Sequence, residues 1–113
     1  LDRQINSPIS TVCLHEGRGY VALAQANPDE AIDAFRQAVA GWKELDRPYD
    51  QARALNGLGQ AITQAGDPAE AQIIFNQAWE IIKRLAAQLD DPKLKQAFLN
   101  SALIKEIDEG KMA

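Results

Sequence analysis

The sequence predicts an all-α fold built from stacked, antiparallel helical hairpins, and three observations support this class. The first is an internal repeat, because a shift of 40 positions aligns one segment of the chain with another. The second is that all five prolines stand where a helix would begin. The third is that apolar residues between these prolines recur at spacings of three and four, which is typical of helices with one buried face.

Small, aromatic and turn residues carry the repeat, while the residues between them differ. Matches of this kind are what a duplicated packing unit retains, and a unit of this length accommodates one helical hairpin. The matched pairs are Gly17 and Gly57, Gly19 and Gly59, Pro28 and Pro68, Glu30 and Glu70, Ala31 and Ala71, Phe35 and Phe75, Gln37 and Gln77, Ala38 and Ala78, Lys43 and Lys83, and Leu45 and Leu85.

Helix starts are marked by a proline that follows a polar residue. Proline is tolerated at the first helical position, where its missing N–H would have no partner anyway. Asn27 and Asp67 each precede a glutamate by three positions, which resembles a capping box, and Gly66 and Gly110 are the plainest C-terminal signals. The five predicted helices cover residues 8–26, 28–45, 48–65, 68–89 and 92–108.

Short connections between these helices predict antiparallel neighbours and hence a linear domain organisation. The predicted segments are 1–7 as a linker or the tail of a preceding repeat, 8–46 as the first hairpin, 47–90 as the second hairpin, and 91–113 as a closing helix and tail.

The composition argues against several classes of function. A net charge of -4 argues against nucleic-acid binding, and no apolar run approaches the roughly 20 residues of a membrane span. One cysteine and one histidine cannot build a zinc site of the usual ligand count, so no metal or other cofactor is predicted. Without a possible internal disulfide or a signal-peptide pattern, we expect a cytoplasmic protein. The chain begins with Leu1 rather than methionine, which suggests a fragment of a larger protein.

The stretch Gly17–Ala22 fits a loose form of the dinucleotide-binding fingerprint, but no strand precedes it. Both of its glycines recur inside a second predicted helix, so we interpret them as helix-packing positions. If Gly59 lies where two helices nearly touch, Gly59→Leu should cost about 1–3 kcal/mol. Gly41 lies outside the repeated pattern, and Gly41→Leu is expected to cost less. No phosphate loop or nucleophile elbow is present, so the chain is predicted not to be an enzyme.

The chain resembles the tetratricopeptide repeat over roughly residues 12–90. The resemblance is carried by a small residue late in the first helix of each hairpin, followed by alanine, an aromatic residue and alanine in the second. These are Gly19, Ala31, Phe35 and Ala38, and again Gly59, Ala71, Phe75 and Ala78. The resemblance implies a right-handed superhelix that acts as a protein-interaction or scaffolding module.

Two further stretches resemble a bacterial subgroup of this family, found at the C-terminal end of large signalling ATPases, cyclases and transcription regulators. They are the link at residues 42–50 and the tail at residues 89–99. The resemblance implies that the chain is the sensing or scaffolding end of a bacterial signalling protein.

In the family, the first helix of each hairpin lines a concave groove that holds a protein or peptide. Arg53 is the only cation among the matching positions, and Glu16 stands where a carboxylate-clamping groove has lysine, so recognition of chaperone tails is disfavoured. Tyr20 and Arg53 are expected to supply most of the binding energy. The implied groove residues are Glu16, Tyr20, Arg53, Asn56, Gln60, Thr63 and Gln64.

A structural role is the alternative to ligand binding. Two hairpins are fewer than the roughly three repeats that such stacks usually need, so an exposed end could pair with a second copy to give a homodimer. Trp42, Trp79 and Tyr49 could anchor a partner, but packing in the core is favoured. Trp42 follows Phe35 by seven positions and Val39 by three, which places it on one helical face with them.

Overall fold

The computed structural model describes residues 7–112, which form six helices and no strand. The predicted all-α class and the stack of helical hairpins are confirmed. The helices are α1 (Pro8–Ala24), α2 (Pro28–Glu44), α3 (Pro48–Gln64), α4 (Pro68–Ala87), α5 (Pro92–Leu99) and α6 (Ala102–Met112). Within residues 7–112, no helix is both long enough and apolar enough to cross a bilayer.

The first four helices start at the predicted prolines and end one to two residues before the predicted ends. The single closing helix over residues 92–108 is wrong, because the chain breaks at Asn100 and Ser101 and forms two helices. Asn100 ends α5, and the backbone carbonyl of Ser101 accepts the first bond of α6 from Lys105 at 3.1 Å. Asparagine and serine favour helix ends because their side chains compete for backbone bonds. The segment predicted as a linker, residues 1–7, lies outside the described residues except for Ser7.

Side-chain caps occur at three of the proline-marked starts. Ser7, Asp67 and Asp91 each accept a hydrogen bond from a backbone N–H in the first turn, at 2.8–3.2 Å. The capping box predicted at Asn27 is wrong, since the Asn27 side chain makes no capping bond. There the proline itself starts the helix, because its fixed φ is already helical.

Each of the three turns that join the helices from α1 to α4 contains one residue in the left-handed region. Gly66 has φ of +93°, as its predicted role at a helix end requires, and Ala26 and Asp46 have φ of +55° and +56° at the other two turns. The left-handed residue reverses the chain within three residues, so consecutive helices run antiparallel. In the first hairpin, Val12 accordingly faces Gly41, while Gly19 faces Phe35.

Two phenylalanines form the centre of the stack, and each is held between two glycines. A Cβ built on Gly19 would lie 2.8 Å from the Phe35 ring, and one on Gly57 would also overlap that ring. A Cβ on Gly59 or on Gly110 would lie 2.6 Å from the Phe75 ring. Phe35 is therefore held between Gly19 of α1 and Gly57 of α3, and Phe75 between Gly59 of α3 and Gly110 of α6. This confirms the predicted close packing at Gly19, Gly57 and Gly59.

Three glycines differ from the predictions. Gly110 does not end a helix but lies inside α6 and packs on Phe75. Gly41 is as crowded as the repeated glycines, because a Cβ there would overlap Val12. Gly17 was predicted to pack against another helix, yet no atom of residues 7–112 lies within 4 Å of its Cβ position.

The contact with Phe75 shows the structural role of α6. Gly110 meets Phe75 of α4 in the way that Gly57 of α3 meets Phe35 of α2. Helix α6 therefore occupies the position of a first helix of a third hairpin, and the short helix α5 connects it to α4. Trp42 is 2% exposed, which confirms its predicted place in the core, whereas the same prediction is wrong for Tyr49, which is 39% exposed at the start of α3.

Candidate binding groove

The predicted groove residues lie on α1 and α3, the first helices of the two hairpins, but they differ in exposure. Glu16 and Asn56 are buried, at 5% and 4% exposure, although both side chains are polar. Tyr20 is 41% exposed, and the Arg53 and Gln60 side chains are partly covered. Thr63 and Gln64 are exposed. The deeper part of the groove therefore consists of internally bonded polar groups.

Glu16 is the centre of a polar network that joins three helices. Its Oε1 accepts hydrogen bonds from Trp42 Nε1 at 2.9 Å and from Arg53 Nη2 at 3.0 Å. Its Oε2 accepts from Arg53 Nε at 2.6 Å and from the Tyr20 hydroxyl at 3.4 Å. Asp50 holds the third guanidinium nitrogen of Arg53 at 2.8 Å. A buried carboxylate is tolerated only when it is paired and hydrogen-bonded in this way.

The network changes the acidity of two of its members. Burial raises the pKa of the Tyr20 hydroxyl to about 12, and the charge of Glu16 adds to the rise while Arg53 opposes it. The hydrogen bond to Glu16 raises the pKa of the Arg53 guanidinium above its ordinary value. Arg53 thus remains a cation, but its charge is balanced by two carboxylates and is not available as a free anchor.

The second half of the groove is bonded to α6. Asn56 Nδ2 and Gln60 Nε2 both donate to Oε1 of Glu106, each at 3.1 Å. The Oδ1 of Asn56 is buried and receives no hydrogen bond from the described residues.

The two polar clusters are copies of one contact. Arg53 lies four positions before Gly57, and Glu106 lies four positions before Gly110. Each side chain reaches back to the preceding first helix, where Arg53 meets Glu16 and Glu106 meets Asn56. The position is a cation in one copy and an anion in the other, so the contact between repeats is retained while its charge is reversed.

Thr63 and Gln64 stand at the end of α3. The Thr63 hydroxyl donates to the Gly59 carbonyl at 2.9 Å, and Gln64 Nε2 donates to the Leu23 carbonyl at 3.2 Å. Beside Thr63, a cleft of about 360 Å³ opens between α3 and α6 over the edge of Phe75. Glu109 is the charged residue of its lining, and the exposed Glu106 lies one turn earlier on α6.

Three residues of this groove were not predicted. Trp42 and Asp50 complete the Glu16 network, and Glu106 closes the second half of the groove. The signal for Glu106 was Gly110, because aligning it with Gly57 places Glu106 at the position of Arg53. That alignment was hidden by α5, which lengthens the spacing beyond the 40 residues of the first repeat.

Chemistry other than binding has little support in the geometry. In the part of the chain that the structure describes, no three histidine, cysteine, aspartate or glutamate side chains converge as metal ligands would. Cys13 is exposed, and the neighbouring His15 faces Arg18 at 3.3 Å.

Comparison with known families gives one match. The model of the family described as tetratricopeptide repeat matches residues 10–84, which include both hairpins up to the last turn of α4. No curated protein and no solved structure matches the chain.

Proposed function

The chain belongs to the tetratricopeptide repeat family, and we propose that it is a protein-interaction module whose groove binds a peptide segment that is basic and apolar. The observation that carries this proposal is the charge of the part of the groove that is not already paired. Arg53, the cation of the groove, is balanced by Glu16 and Asp50, whereas Glu106 and Glu109 project exposed carboxylates beside the cleft.

The proposed ligand combines two features that match this surface. A lysine or arginine side chain would meet Glu106 and Glu109, and an apolar side chain would enter the cleft against Phe75. A peptide that ends in a free carboxylate is a poor candidate, since it would bring a negative charge to this surface.

The predicted groove residues take different roles in this proposal. Tyr20, Gln60, Thr63 and Gln64 present exposed or partly exposed groups that can contact a ligand. Glu16, Arg53 and Asn56 fix the shape of the groove, and Arg53→Ala would leave Glu16 buried without its cation. Arg53→Ala is therefore expected to lower stability as well as affinity.

The test compares two synthetic peptides with the same apolar residues, one carrying lysine and arginine and the other carrying aspartate and glutamate. We expect the basic peptide alone to bind, and we expect Glu106→Gln with Glu109→Gln to weaken its binding about tenfold or more. Glutamine at position 106 keeps an acceptor for Asn56 and Gln60, so the fold is preserved. Glu80→Gln, an exposed change on α4, is the control for loss of a surface carboxylate outside the groove.

Fluorescence anisotropy gives the dissociation constants, and thermal denaturation checks that the variants fold. Equal affinity for both peptides, or affinity that does not respond to the double substitution, would remove the acidic groove as the binding surface.

The cellular setting is a separate part of the proposal. A place in a cytoplasmic bacterial signalling protein is supported by the resemblance of residues 42–50 and 89–99 alone. A non-enzymatic role is supported by the fold, since tetratricopeptide domains are typically not enzymes.

A further inference from the structure

One side of α1 is largely apolar and is covered by no other helix within residues 7–112. The α1 outer face, as we name it, consists of Leu14, Gly17, Arg18 and Val21, whose spacing of three and four places them on one side of the helix. Leu14 is 65% exposed and Val21 is 56% exposed. An open depression of about 410 Å³ lies over this face. Two large aliphatic side chains beside a glycine form an apolar patch that one helix could cover.

The same face is covered in the other two helices of equivalent position. In α3 the corresponding residues are Ala54, Gly57, Leu58 and Ala61, all buried, and Gly57 receives the ring of Phe35. In α6, the residue that corresponds to Leu14 is Ile107, which is fully buried, and Gly110 receives the ring of Phe75.

Gly17 occupies the same position in α1 as Gly57 in α3 and Gly110 in α6, but no aromatic ring of residues 7–112 packs on it. Nothing in residues 7–112 lies within 4 Å of the Cβ position of Gly17, while the corresponding positions of Gly57 and Gly110 are filled by phenylalanine. The helices that supply these rings share one pattern, in which phenylalanine follows an alanine by four positions and precedes another by three. These residues are Ala31, Phe35 and Ala38 in α2, and Ala71, Phe75 and Ala78 in α4.

We propose that the α1 outer face is a docking site for an amphipathic helix of a partner protein that carries this alanine and phenylalanine pattern. The chain builds the same interface twice internally, so the geometry of the docked helix follows from α2 on α3 and from α4 on α6. The phenylalanine ring would lie on Gly17, and the alanines would allow close approach of the two backbones. Leu14 and Val21 would be buried at either side.

Arg18 adds a requirement on the partner. The corresponding residue of α6 is Lys111, whose ammonium lies 5.0 Å from the ring centroid of Trp79, four positions after Phe75. An aromatic residue four positions after the partner's phenylalanine would meet Arg18 in the same way. A carboxylate at that position would also be attracted to Arg18.

A second copy of the chain lacks the required group. Phe35 and Phe75 are 0% and 7% exposed in their own stack, so neither ring can be offered to another copy without unfolding a hairpin. A partner helix of different origin therefore fits this face better than a homodimer.

A peptide with the sequence of α4, residues 68–87, serves as the probe. It is stapled across the positions of Ile73 and Gln77, which are exposed in the stack and one turn apart, because an isolated helix of this length is marginal in water. The control peptide has alanine in place of phenylalanine at position 75. Titration calorimetry with the full chain is expected to show binding of the first peptide and about tenfold or more weaker binding of the control.

Gly17→Leu tests the site within the protein. The new side chain would fill the space of the ring, so we expect about tenfold or more weaker binding of the stapled peptide, with no loss of thermal stability because the position is open. Gln77→Leu, an exposed change on the outer side of α4, is the matched control and should bind as the wild type does.

Three results would overturn the proposal. They are no binding of the stapled peptide, equal binding by Gly17→Leu, and a peptide-free dimer in sedimentation that Gly17→Leu abolishes, which would assign the face to a second copy. Binding of the basic peptide in the groove should be unchanged in Gly17→Leu, so failure here is separable from failure of the proposed function.

Discussion

Replacing glycine by alanine at two equivalent positions should change stability in opposite directions. Gly57 and Gly17 occupy the same position in successive repeats, but only Gly57 touches an aromatic ring. We predict that Gly57→Ala lowers the free energy of unfolding and that Gly17→Ala raises it. Both substitutions add one methyl group to the interior of a helix, so any difference between them reports the surroundings.

The expected size follows from two opposing terms. Alanine is a better helix former than glycine by about 1 kcal/mol, and Gly17→Ala should gain most of this because its Cβ meets nothing within 4 Å. At Gly57 the new Cβ would lie 2.6 Å from Phe35 Cζ, well inside normal contact. The ring cannot retreat, because Gly19 holds its other side. Overpacking of this kind costs about 1–3 kcal/mol, which leaves a net loss of up to about 2 kcal/mol.

Urea unfolding followed by circular dichroism measures both changes. A difference of about 1–3 kcal/mol between the variants corresponds to roughly 0.5 M or more in midpoint at the slopes usual for small domains. A smaller ring should relieve the clash, so Gly57→Ala combined with Phe35→Leu should cost less than the sum of the single changes. If both alanine variants shift the midpoint equally, or if the double variant is strictly additive, the contact with Phe35 does not determine the cost.

Two further predictions concern a turn and the polar network. Ala26→Gly should stabilise the fold by about 0.5–1 kcal/mol in urea unfolding, because Ala26 has φ of +55° and glycine relieves more strain there than it costs in chain entropy. Gly66→Ala is the opposite change at the equivalent turn and should destabilise. The folded state holds the Tyr20 proton more tightly than the unfolded state, with pKa of about 12 against about 10, so this contribution to stability is complete below pH 10 and is lost as the pH rises to about 12. Tyr20→Phe should reduce that loss, and an unchanged pH profile would refute it.

Much of the fold could be predicted because its signals are local. Each proline fixes φ at a helix start, and the repeated glycines and phenylalanines mark the helix crossings within a short stretch of sequence. The role of Gly110 was missed because it depends on contact with Phe75, which is remote along the chain. The break at Asn100 was missed although asparagine and serine, which favour helix ends, stand there. Gly41 was misjudged for the same reason, since only the folded hairpin brings Val12 against it.

The groove was predicted less completely than the fold. Resemblance to the family identified the helices that line it and residues such as Tyr20 and Gln60. It did not show that Glu16 pairs with Arg53 or that Glu106 bonds Asn56, because these pairs join residues 37 and 50 positions apart. Burial and pairing decide which charges a ligand can meet, and neither can be read from a single position.

The two ends of the stack differ in chemistry, and this difference indicates where a further helix can add. At the positions where α3 has the buried Ala52 and Leu55, α6 has Lys105 and Asp108. Asp108 pairs with Lys111 at 3.1 Å, so this side of α6 is polar and ends the stack as a capping helix does. The α1 outer face keeps its glycine and two exposed aliphatic side chains, Leu14 and Val21, and Arg18 is its one charged residue. We therefore expect a further helix to add at α1 and not beyond α6. The Gly17→Leu experiment tests for a partner at the α1 outer face.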